Sequence, residues 1–356
     1  MSLRMANFGS AVIGFLLSWL VVSMPGWGRQ TSGSGSPKTA QTNGGPLGEA
    51  EDDSFATYKE DWSSLSLAGS NLHALTPVLG EKDDYPDFTR EIVKVEWRPG
   101  DPIYLYVMLP KHVKNPPAVL YLYGYPSETD RFRDENFSRL LIRNGTAAIG
   151  FVSALTGHRY HDRPMKEWFI SELGQSLTTT VHDVQMIINY IRARGDMDAD
   201  RIGMFGDGSG ATIAILAAAV DPRIQVLDLL EPWGDWPDWL AKSPHVPDDE
   251  RADYLKPEFL KQVEPLDPLR WVSQLGSRTV RLQLAPYETF TPSSARVRIE
   301  KAMPANVEVV HYENSNALDQ AAYSGTFFDW IQFQVRSARS SNEATAALKD
   351  HATRRE

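Results

Sequence analysis

Between residues 91 and 336, short runs of apolar, β-favouring residues alternate with longer stretches in which apolar residues recur at helical spacing. That alternation predicts an α/β fold, a mostly parallel central sheet with helices on both faces. The runs at 91–97 and 103–108 flank the turn-forming string Arg98-Pro99-Gly100-Asp101-Pro102 and predict an antiparallel hairpin at the sheet edge. The later runs, at 118–123, 147–152, 201–205, 226–230, 280–284 and 307–312, are nearly continuous in apolar residues, as strands covered on both faces are. Val181, Val184, Ile187, Ile188 and Ile191 fall on one helical face and are expected in the core. Residues 211–220 predict a small-residue helix able to pack closely on the sheet, ended by Asp221-Pro222. The segment 236–277, rich in Pro, Trp and acidic residues, breaks the alternation as a helical insertion. Ligands of such sheets bind at the carboxyl ends of the strands, so the insertion is expected over the site as a cap.

The pattern changes at both ends. Arg4 precedes an uncharged stretch, 5–28, whose apolar heart is 11–22; residues 1–28 read as a signal peptide or a signal anchor. The heart is shorter than the roughly 20 residues that span a bilayer, no A-x-A site follows it, and the wider stretch could span if tilted. An exported protein is expected, periplasmic, secreted or held by this segment. Residues 29–52, rich in Gly, Ser, Pro, Thr and Asn, read as a disordered linker. An N-terminal extension at 53–90 then precedes the main domain, 91–338, and a polar tail occupies 339–356.

Composition narrows the partners. The formal net charge is -10, and no clustered basic face answers the needs of phosphate binding, so no nucleic-acid partner is expected. The chain has no cysteine, which removes disulfides and zinc–thiolate sites. No cofactor is implied, and a membrane is met only through the N-terminal segment.

The candidate chemistry centres on Arg201-Ile202-Gly203-Met204-Phe205-Gly206-Asp207-Gly208-Ser209-Gly210. In a G-x-S-x-G elbow a strand turns sharply into a helix, and flanking glycines make room for a nucleophile on a strained apex. Gly206 and Gly210 are the flanks here, which makes the apex Gly208, a residue with no side-chain atom to attack anything. Ser209 stands one place late; as apex it would have Asp207 and Ala211 as flanks, both carrying a Cβ. Asp207, the other reactive group beside the turn, stands one place early.

Hairpin, parallel strands, elbow, insertion and two further strands follow the order of the α/β-hydrolase superfamily. From about residue 91 to 336 the chain resembles it, most of all the dienelactone-hydrolase and prolyl-oligopeptidase-like esterase branches; the run 200–206 is typical of their strand entering the elbow. The resemblance implies a triad in the chain order nucleophile, acid, histidine. Gly208 holds the nucleophile place, Glu288 is the candidate acid in the loop after 280–284, and Asn316 holds the histidine place. An asparagine amide cannot take a proton near neutral pH and so cannot act as general base. Gly124 and Tyr125 occupy the oxyanion position and could offer backbone N–H groups. His158 and His161, in the loop 156–164 on the same rim, are candidate pocket residues. Their spacing has no helical context that would make them metal ligands with Asp162, and no metal is expected. Glu231, Trp233, Asp235, Trp236, Asp238 and Trp239 either line a sugar or cation site or pack a tryptophan-rich cap on the sheet. Two readings follow: a non-catalytic pseudo-hydrolase whose pocket binds a small molecule or peptide, or an active ester or peptide hydrolase using Ser209 with His158 or His161 as base.

Overall fold

The computed structural model describes residues 59–127, 129–155, 159, 170, 172–285 and 290–338. The expectations for 1–28, 29–52 and 339–356, and for His158, His161 and Glu288, lie outside the described residues. Nine strands form one sheet: β1 (Val78–Asp84), β2 (Phe88–Val95), β3 (Ile103–Pro110), β4 (Pro117–Leu122), β5 (Ala147–Phe151), β6 (Asp198–Asp207), β7 (Ile224–Leu230), β8 (Thr279–Leu284) and β9 (Glu308–His311). Their order is β1-β2-β3-β5-β4-β6-β7-β8-β9. The first three strands and the β3–β5 pair are antiparallel, and every pairing from β5 through β4 to β9 is parallel.

The β2–β3 hairpin forms as its turn residues require, with Val95 opposite Ile103. It is not the sheet edge, which is a correction to the expected architecture: β1 pairs outside β2, so the sheet begins at Val78 within the segment expected as an extension. No alternating pattern announces β1, because nearly all of its residues are exposed and Glu81, Lys82, Asp83 and Asp84 fill its second half. Charges on an outermost strand discourage further pairing.

Two apolar layers cover the sheet. On one face lie α2 (Leu173–Arg194) and α3 (Ser209–Val220); on the other lie α1 (Glu135–Ile142) and, at the end of the chain, α9 (Thr326–Ser337). Val181, Val184, Ile187, Ile188 and Ile191 are all buried, but so are Thr178, His182 and Gln185 on other faces of α2. That helix is enclosed nearly all round, which a single apolar stripe does not foretell. Between β7 and β8 the insertion is helical, with α4 (Trp236–Lys242), α5 (Arg251–Tyr254), α6 (Pro257–Val263) and short 3₁₀ turns up to Leu275. It packs against α2 and α3. The elements α7 (Ser293–Ala302) and α8 (Ser315–Ser324) flank β9 in sequence.

Close approach of α9 to the sheet depends on Gly203, where a Cβ would lie 2.4 Å from Val335 Cγ2. Gly203→Ala should therefore cost about 1–3 kcal/mol of stability by overpacking. Adding Val335→Ala should recover part of that loss, as urea unfolding of the two variants would measure.

Candidate functional site at the strand-to-helix elbow

The chain passes from β6 into α3 through Gly208 alone, at φ 54° and ψ −116°. This is left-handed territory that glycine enters without the clash a Cβ brings. The Gly208 N–H donates to Leu230 O at 2.9 Å, and Ala211 N–H donates back to Gly208 O at 3.1 Å, so the turn is tied to β7 on one side and to its own helix on the other. A Cβ at Gly206 would lie 2.4 Å from Gly210 O, one at Gly210 2.1 Å from Leu122 O, and one at Gly124 2.8 Å from Asp207 O. All three obstacles are backbone, and backbone here cannot give way. Gly208 differs: its Cβ would meet the Trp233 indole Nε1 at 3.1 Å, a tight contact but with a side chain. Packing demands glycine at the flanks and does not demand it at the apex.

Ser209 opens α3 and is fully buried. Its Oγ accepts the Tyr125 N–H at 2.9 Å. The donor expected to meet a substrate oxygen is thus already engaged by the hydroxyl expected to attack one. Gly124, Tyr125, Asp207, Gly208 and Ser209 do come together, as the order of strands requires. Asp207 is half-buried at the end of β6. Nearby, burial pushes the Tyr123 hydroxyl well above its usual range; the Asp207 charge adds to this, while the Arg131 guanidinium, 3.8 Å from the ring centroid, opposes it.

A histidine that the motifs do not mark also reaches the site. His245, between α4 and α5, packs 4.9 Å from the Trp233 ring, 5.9 Å from Tyr125 in an edge contact, and stacks on Phe290 at 4.4 Å. Trp233 is the residue against Gly208, so the insertion does deliver a ring to the elbow. Burial drives the His245 pKa down to about 4, because the apolar surroundings disfavour the charged ring. The imidazole is neutral at ordinary pH. Its only sequence signal is a histidine in a Trp- and Pro-rich insertion, which reads equally well as packing.

Elsewhere the expected chemistry is dispersed. Asn316 is exposed in the first turn of α8, whose N-cap is Asn314, accepting from Ala317 N–H at 3.0 Å. His311, in β9, is exposed, with Nε2 3.1 Å from Glu300 Oε1. In the acidic-aromatic cluster, Trp233, Trp236 and Trp239 are at most 2% exposed, as in a packed cap, while Asp235 and Trp236 also line a cavity with Pro257, Leu260 and Lys261. Of its carboxylates, Asp235 and Asp238 pair with Arg298. Glu231 follows β7 at φ 46° and accepts from Arg296 Nε at 2.9 Å and from Ala285 N–H at 2.5 Å. It braces the ends of β7 and β8, a role invisible in sequence because its partners lie 54 and 65 residues away.

No family model matches the chain, and no curated protein matches it in sequence. Solved structures do match. Acetyl xylan esterase 1 from Thermoanaerobacterium sp. JW/SL YS485 is 14% identical, with a TM-score of 0.55 over 73% of this chain and 88% of that one. The acetyl xylan esterase from Paenibacillus sp. R4 is 18% identical, with a TM-score of 0.53 over 76% and 93%. The acylaminoacyl peptidase of Pyrococcus horikoshii is 11% identical, with a TM-score of 0.53 over 70% of this chain and 42% of its own. Likeness at such identity speaks for the fold alone, and the fold of this chain is that of the α/β-hydrolases.

Two outcomes test this geometry. Ser209→Ala strands the Tyr125 N–H and should cost about 1–3 kcal/mol in chemical denaturation; no loss would mean the bond contributes nothing. For His245 the folded pKa lies below the ordinary histidine value of 6.5, so between those values the unfolded chain binds the extra proton and stability falls as pH falls. By about pH 4.5 the parent should have lost about 2 kcal/mol more than His245→Phe, relative to pH 7. Unfolding curves of both proteins at the two pH values would show it.

Proposed function

We propose that this is an α/β-hydrolase-fold protein without serine-hydrolase chemistry, which keeps the region around the elbow as a binding pocket for a small molecule or peptide. The observation that carries the reading is Gly208 at the apex, in the backbone conformation of a nucleophile and with no side chain to react. Ser209 gives little support to an active alternative: its hydroxyl is enclosed and already accepts the Tyr125 N–H. Asn316, exposed on α8, supplies no base.

The accessible surface favours a ligand with an uncharged, flat face. Tyr125 and His245 are half-buried, Phe290 is 37% exposed, and burial keeps the imidazole neutral at ordinary pH. We place the protein outside the cytoplasm, on the strength of residues 1–28 alone, read as a signal peptide or signal anchor.

A fluorophosphonate probe separates binding from hydrolysis. It should leave the full chain unlabelled, whereas covalent labelling that disappears in Ser209→Ala would sink the non-catalytic reading.

A further inference from the structure

The insertion between β7 and β8 holds a cavity of about 500 Å³ that Tyr125, Gly208, Ser209 and His245 do not line. That volume lies within the roughly 300–1,000 Å³ of small-molecule sites. One wall is the face of α6 carrying Pro257, Leu260 and Lys261, continued a turn further by Glu264. The other is the start of α4, with Asp235, Trp236 and Pro237. This second wall is tied in place from behind. Asp267 Oδ1 accepts from the N–H groups of Asp235 and Leu269, each at 3.0 Å, and its Oδ2 accepts from Trp236 N–H at 3.0 Å. Gly234 lets the junction close, since a Cβ there would lie 2.4 Å from Pro268 Cγ. The backbone bounding the cavity is thus fixed before any ligand arrives, which lowers the ordering cost of binding.

Two features of the lining define what it would take. Trp236 is 1% exposed, and its indole Nε1 has no hydrogen-bond partner among the described residues. A buried N–H left unpaired carries a desolvation cost that an acceptor on a bound molecule removes. Trp239 Nε1 is in the same condition, but Trp239 is not part of the lining. The second feature is charge balance. Asp235 pairs with Arg298, Glu264 pairs with Arg270 at 2.5 Å, Asp267 is taken up by its three N–H groups, and Lys261 adds one more cation. Three carboxylates therefore face three cations. A ligand carboxylate would meet Glu264 and Asp267, and a ligand ammonium would meet Lys261 and Arg270, so neither sign is favoured. The remaining lining, Pro237, Pro257, Leu260, Leu269 and the Trp236 ring, suits an apolar body.

We propose that the cavity between α4 and α6 is a second binding site, for a small uncharged molecule with an apolar ring and a carbonyl oxygen that accepts the Trp236 N–H. The site is independent of whether the elbow binds or hydrolyses anything.

Benzamide, benzoate and benzylamine share one ring and differ in charge, so titrating each into the full chain tests the balance directly. Proton–nitrogen correlation spectra of tryptophan-labelled protein follow the donor itself, the Trp236 indole signal being the one missing from Trp236→Phe. Benzamide should shift that signal downfield and saturably, at a concentration about tenfold below that needed for benzoate or benzylamine. The indole of Trp97, already bonded to Asp183 at 2.9 Å, should stay in place. Saturation transfer to benzamide should show about tenfold weaker binding to Trp236→Phe, the scale of one hydrogen bond. Leu260→Tyr, on the half-buried face of α6, fills the cavity and should abolish the Trp236 shift; it provides a second route should Trp236→Phe fold poorly. A Trp236 signal unmoved by benzamide would overturn the proposal, as would a response to benzoate or benzylamine equal to that for benzamide, or a shift that survives in Leu260→Tyr.

Discussion

Backbone touching backbone at the elbow is the constraint from which the arrangement of the site follows. Gly206 lies against Gly210 and Ala211, Gly210 against Leu122, and Gly124 against Asp207, each too close for a Cβ. These contacts lock β4, β6 and α3 together at the carboxyl ends of the strands, where this fold builds its sites. They bring the Tyr125 N–H onto Ser209 and leave Gly208 at positive φ. The turn keeps the demands of a nucleophile elbow at its flanks, while the apex, where packing alone would admit a side chain, has none. On the proposed reading, the elbow is retained for folding without a reactive group at its apex.

Around the elbow, electrostatics follow burial. His245 is held neutral by an aromatic surround, while Glu231 and Arg296 neutralise each other beneath the ends of β7 and β8. Breaking such a buried pair costs more than forming it gains, so Glu231 is better regarded as a brace than as a spare acid. The segment before the sheet follows the same logic: the buried Glu60 carboxylate is paired with Arg98.

How much of this was legible in the sequence depended on the range of the interactions. Parallel strands with apolar residues on both faces, and an elbow confined to ten consecutive residues, are local patterns and lie where the pattern placed them, except that β9, expected to be covered on both faces, ends the sheet and is exposed at Glu308, Val309 and His311. β1 was hidden because an exposed, charged edge strand has no buried face to write into the sequence. The full enclosure of α2 was hidden because its polar residues are satisfied by partners far along the chain, as His182 is by Glu60 across 122 positions. His245 and Glu231 were missed for a related reason. A residue type carries chemistry only once its neighbours are known, and theirs come from other elements.

The central claim, that Gly208 occupies the nucleophile place and that its chemistry is gone, is tested most directly by hydrolysis of p-nitrophenyl acetate. The account predicts that the full chain turns it over no faster than buffer. A parent rate well above buffer that is lost in Ser209→Ala would contradict it.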